Sequence, residues 1–211
     1  MNLMKIFSRR AVLLFVILAF LFSVSIEKAE AQCPTGYNFA SFSYTYNIPG
    51  GGSGTVIVTY CYICGVSSNS TIADIQTVTI DYSLLSYAAT DDFKNVLNDK
   101  VANNLHSLCT VPPCPQQSAN FEISKSMCVK YVNQPANARV VIVCCTGDNS
   151  CRYLYSMCMD NTQSPPVLVQ TLIGKSSTGT PNCDSSATIP PNGSNWDDAW
   201  ESTCFQYTCP N

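Results

Sequence analysis

The chain has 211 residues, a formal net charge of −3 and only 12% charged side chains. Beyond residue 31, seven Lys and Arg stand against twelve Asp and Glu, a balance of about −5. With no cationic stripe to track phosphates, nucleic acid is a poor candidate partner.

The chain opens as an export signal. Lys5, Arg9 and Arg10 give a basic start, Ala11 to Ile26 is apolar apart from two serines, and Ala29-Glu30-Ala31 precedes Gln32 as a small-x-small cleavage site. The apolar run is shorter than the roughly 20 residues of a bilayer-spanning helix, so the expectation is a cleaved signal over residues 1–31 rather than an anchor. The greasy core favours the general secretory route over twin-arginine export, although Ser8-Arg9-Arg10 resembles the latter signal. Residues 32–211 are then a single cysteine-rich domain in a secreted or extracytoplasmic setting, with no later membrane span.

All thirteen cysteines follow residue 31. At that density in an exported chain they read as a disulfide framework, and the odd number leaves at least one thiol over, free, joined to a second chain as a covalent dimer, or bound to something else.

Along the mature part, Phe42, Tyr44 and Tyr46 alternate with Ser and Thr as on a half-buried strand. A glycine-rich connection from Pro49 to Gly54 leads to a second strand, Thr55 to Ile63, with Val56, Val58, Tyr60 and Tyr62 on one side. A third strand is expected over Gln76 to Tyr82. The helix is expected over Asp91 to Leu108: Thr90 or Asp91 can cap it, Phe93, Val96, Leu97, Val101, Leu105 and Leu108 form its stripe, and Pro112 and Pro113 end it. Lys125 to Val132 and Ala138 to Cys145 form a second hairpin; with its turn centred on Ala136, Cys128 sits opposite Cys144, a register that a one-residue slip would break. Cys151 to Met159 and Val167 to Ile173 are further strands, Lys175 to Asn195 is loop, and a short helix is expected near Trp196 to Thr203. The fold class that follows is α+β: a mainly antiparallel sheet of about six strands, one packed amphipathic helix and stabilising disulfides.

Four constellations carry chemistry in principle. Cys61-Tyr-Ile-Cys64 has thioredoxin-type spacing, but it ends a strand instead of opening a helix, where a dipole would lower the thiol pKa. The same pair with Cys109/Cys114 or Cys204/Cys209 offers four zinc thiolates, though the looser spacing and oxidising compartment favour bridges, so no metal or other cofactor is assigned. His106, the only histidine, lies one helical turn before Cys109, the spacing of a thiol nucleophile and its base. Asp197, Asp198 and Glu201 lie beside Trp196 and Trp200, which reads as a sugar-binding cluster or, more simply, as an acid-started helix docked on two tryptophans. Cys144-Cys145 should point to opposite faces of a strand, one bridge inward and one outward.

No catalytic set closes. The functional expectation is a secreted protein with a non-enzymatic interaction or structural role, meeting a protein or glycan partner. The alternative is a small secreted enzyme using Cys61/Cys64 for thiol-disulfide exchange or a Cys109/His106 nucleophile.

Overall fold

A computed structural model describes residues 33–65, 70–115, 118–145, 147 and 149–209. The expected signal over residues 1–31 lies outside the described residues. The described residues form an α+β domain, a nine-stranded sheet with one α-helix and six disulfides.

The first hairpin pairs β1 (Asn38–Asn47) with β2 (Ser53–Ile63), Phe42 opposite Val58 and Tyr44 opposite Val56. Gly54 is needed at its tip, because a Cβ there would lie 2.6 Å from Leu84 Cγ. β3 (Thr71–Asp81) takes β2 along one edge. Its other edge is shared end to end. Thr71 to Ile75 pairs in parallel with β4 (Ala119–Ser126), and Thr77 to Asp81 pairs antiparallel with β6 (Arg139–Cys144). β7 (Ser150–Asp160) lies outside β4 and β8 (Val167–Thr178) outside β7, while β5 (Cys128–Gln134) and the short β9 (Phe205–Gln206) lie outside β6.

The helix α1 (Asp91–Leu108) falls where its caps predict: Thr90 Oγ1 accepts from the Phe93 N–H at 3.3 Å, and Asp91 and Asp92 sit at the positive end of the dipole. Phe93, Leu97, Val101 and Leu105 are buried on the sheet with Val56, Val58, Ile75, Ile123 and Ile142. Long tyrosines from the sheet tie the polar flank of the helix. The hydroxyls of Tyr46, Tyr60 and Tyr155 donate to Asp92 at 2.6 Å, Asn104 at 2.6 Å and Asp99 at 2.9 Å.

Several expected boundaries differ. β3 begins at Thr71, not Gln76, and Tyr82 belongs to a 3-10 turn after it. The continuous strand expected from Lys125 to Val132 breaks at Met127 into β4 and β5, which have different neighbours. β8 continues to Thr178. The expected helix over residues 196–203 is absent: Asn195 to Asp198 is turn, and the following segment runs extended beside β5, with Asn133 N–H donating to Trp200 O and Ser202 N–H to Tyr131 O. A stretch this short gains more from an open strand edge than from two turns of isolated helix.

Candidate functional site

The residues singled out for thiol chemistry do not form a reactive centre. Cys61 is bridged to Cys33 and Cys64 to Cys109, so the expected Cys61/Cys64 exchange pair is two separate bridges, and Cys109 is no free nucleophile for His106. His106 Nδ1 lies 2.9 Å from its own helix's Asn103 carbonyl. The other thiols proposed for zinc are also spent, in Cys114–Cys158, Cys145–Cys204 and Cys151–Cys209. Among the described residues no group of three or more His, Cys, Asp or Glu is placed to hold a metal.

The Trp196/Trp200 cluster is a docking device. The two indoles meet edge-on at 5.3 Å, Trp196 meets Tyr82 at 5.4 Å, and Trp200 is buried. Buried Asn133 donates to the carbonyls of Trp196 at 3.1 Å and Asp198 at 2.7 Å while accepting from the Tyr82 hydroxyl at 2.6 Å. The Asp198 carboxylate accepts from Asn195 N–H at 3.0 Å, and Glu201 pairs with Lys130. Asp198 and Glu201 therefore fasten the carboxy-terminal segment, and Asp197 takes part through its backbone N–H, which donates to Asn195 Oδ1 at 2.8 Å.

The expected Cys128–Cys144 pairing fails by one residue. Gln134 faces Arg139 across a 3-10 turn over Pro135–Asn137, with Ala138 left-handed at φ 50°, so Cys144 faces Val129 instead. Cys128 bridges Cys183, and Cys145 turns outward to Cys204. Cys144, on the inward side, is the unpaired thiol, its Sγ 3.1 Å from the Ile75 carbonyl. Burial pushes this thiol's pKa up, against the pull of the Lys125 charge. A half-buried thiol at the wall of a pocket, held against the Ile75 carbonyl, does not support the covalent dimer suggested by the odd cysteine count.

The feature sequence reasoning missed is where β4 and β6 meet on β3. Thr59 pairs with Thr77 but Tyr60 with Ile75, which leaves Gln76 as the extra residue of a bulge. Around it the chain crosses itself: β4 steps outward into β5 while β6 steps outward into β7. Backbone groups that lose ladder partners at the crossing find others there. Met127 N–H donates to Asn149 O at 3.2 Å, Cys145 N–H to Cys128 O at 2.8 Å, and the Ser126 hydroxyl to Cys145 O at 3.2 Å.

The sheet face away from α1 is hollowed at this place. A pocket of about 210 Å³ is lined by Asp74, Gln76, Ser126 and Asn149 among others. It shares Asp74, Gly147 and Ser150 with a larger groove of about 620 Å³ that adds Pro34, Tyr37, Glu122, Ser124 and Arg152. Asp74 is its centre, accepting from the Ser124 hydroxyl at 2.9 Å and from Gln76 Nε2 at 2.8 Å. Burial raises its pKa, and these two hydrogen bonds act in the opposite direction. Arg152 and Glu122 form an ion pair at 3.4 Å beside it. The aromatic wall belongs to a turn in which Tyr37 N–H donates to Pro34 O at 3.0 Å, held to β2 by Cys33–Cys61.

Comparison with known proteins finds no match: no family model, curated protein or solved structure resembles the chain. The disulfide content is that of a protein of an oxidising, extracytoplasmic compartment, and no described helix is long and apolar enough to cross a membrane.

Proposed function

We propose that this is a secreted binding protein with a non-enzymatic role. Residues 1–31 are its cleaved signal, residues 32–211 are one disulfide-locked domain, and the groove around Asp74 is its ligand site. The observation that carries this reading is the groove itself. Polar side chains from β3, β4 and β7 face outward together, under a wall fixed by its own disulfide. Such a site holds its shape before the ligand arrives, which reduces the ordering cost of binding. With Cys61, Cys64 and Cys109 all bridged, neither thiol reaction has a nucleophile to start it.

The reading is tested by exporting the full chain and determining the mature amino terminus, expected at Gln32. The purified, oxidised protein is then screened by amide NMR against saccharides, peptides and nucleotides. Binding should displace resonances of Asp74, Ser124 and Arg152 without converting the ligand. Shifts confined to other surfaces, or turnover of a ligand, would overturn the proposal.

A further inference from the structure

We infer that the groove takes a neutral oligosaccharide. This rests on the groove being the binding site and adds the chemistry of what it binds.

Asp74, Ser124 and Arg152 are direct register partners across three adjacent strands, Asp74 with Ser124 and Ser124 with Arg152. Strands lie about 4.8 Å apart, so a carboxylate, a hydroxyl and a guanidinium stand in a row about 10 Å long, the reach of a disaccharide. Each Asp74 oxygen accepts one hydrogen bond from the protein, leaving capacity for another. Arg152 has further N–H donors beyond its contact with Glu122. A surface that alternates acceptors and donors at this spacing suits a ligand whose every substituent is both. Sugar hydroxyls are such groups.

The other ligand classes fit less well. Asp74 and Glu122 against Arg152 leave the groove one negative charge in excess, which repels phosphates, sulfates and uronates. Ile72 is the one aliphatic strand residue in its lining, too little apolar surface for a lipid tail. The short side chains of Ser124 and Ser150, with Gly147, leave room over the strands for a flat ring to lie along the groove. Tyr37 stands at the side, where an aromatic face packs against the C–H face of a pyranose.

The test titrates the exported, oxidised protein with neutral di- to tetrasaccharides of gluco, manno and N-acetylglucosamino type, and with a uronate series of equal length. Amide NMR locates the site and calorimetry gives the affinity. At least one neutral series should bind at the groove and more tightly than its uronate counterpart. Tyr37→Ala, on a surface turn, should weaken it about tenfold, and Arg152→Gln should weaken it comparably. Val169→Ser on β8, outside the groove, should leave affinity unchanged. Equal binding by all three variants, or preference for the uronates, would overturn the inference. A peptide or nucleotide that moves the groove resonances where no sugar does would refute the saccharide but leave the binding site standing. If no class moves them, both fall.

Discussion

Lys125 projects from β4 on the same side as Phe121 and Ile123 and is 4% exposed. Its ammonium lies 3.6 Å from the centre of the Tyr207 ring and has no hydrogen-bond partner among the described residues. Lys94 shares that ring at 4.7 Å, but its ammonium also donates to the Thr208 carbonyl at 2.8 Å. Burial first, and repulsion by Lys94 further down, lower the Lys125 pKa from the ordinary 10.5 to about 8, with Cys144 acting the other way. At ~1.4 kcal/mol per pH unit that gap amounts to about 3 kcal/mol. The unfolded chain holds this proton more tightly than the folded one, so unfolding takes up a proton between those two values. The penalty on the fold is therefore full below about pH 8 and fades as pH rises towards 10.5. Lys125→Met keeps an unbranched stem, one atom shorter, and removes the charge. It should stabilise the protein by about 2–3 kcal/mol near pH 7, an advantage that shrinks steadily by about pH 9.5. The assay is non-reducing urea unfolding across that range, with Cys144→Ala in both proteins so that no thiol reshuffles the bridges. Higher pH is avoided because buried Tyr207, whose pKa is raised, resists ionisation that the unfolded chain undergoes freely. A Met variant less stable at pH 7 by ~3–5 kcal/mol would refute the reasoning, since that is the cost of stripping a buried charge from a true partner.

Two further predictions concern packing and the odd thiol. Native protein should react with an aromatic disulfide reagent more slowly than a free thiol does, because half-buried Cys144 has a raised pKa and its Sγ lies against the Ile75 carbonyl. Denaturation should bring the rate to that of a free thiol at one equivalent per chain, and the protein should run as a monomer on a non-reducing gel; native labelling as fast as in the denatured chain would refute this. Gly54→Ala should cost about 1–3 kcal/mol, because the new methyl meets fully buried Leu84. Its cost should fall in a Leu84→Ala background, and strictly additive effects in denaturant unfolding would mean the clash is relieved elsewhere.

The elements legible in the sequence are those fixed by near neighbours. The helix announces itself through Thr90, the acidic first turn and Pro112-Pro113, and the first hairpin through period-two alternation on either side of a glycine run. β3 shows how the same rule misleads. Ala73 and Ile75 are buried at odd positions, Val78 and Ile80 at even ones. Read locally, that change of phase looks like the start of a strand at Gln76. In the fold it is a bulge that lets one strand continue while its inward face is reset. The split at Met127 has no local signal, because it arises when the chain exchanges β3 for β6 as its neighbour. The candidate site inherits this obscurity: Asp74, Ser124 and Arg152 come from three separate strands, and only the sheet register makes them adjacent.

The places where local reasoning fails coincide with the groove, and a physical reason links them. A regular ladder consumes its backbone groups and presents side chains in strict alternation, leaving a smooth face. A crossing interrupts the ladder, and polar side chains such as Ser126 and Gln76 settle there to satisfy the groups set free. Here Cys128–Cys183, Cys145–Cys204 and Cys151–Cys209 all start at the crossing and end in the carboxy-terminal segment, closing spans of 55, 59 and 58 residues. Taken singly, loops of that size restrict the unfolded chain by about 4 kcal/mol each. Three of the six bridges thus gather where the ladder is interrupted. That arrangement pins the chain on both sides of a break in the hydrogen-bond ladder, and a pinned scaffold is what the hydroxyl-binding groove proposed above would need, because its individual contacts are too feeble to order it.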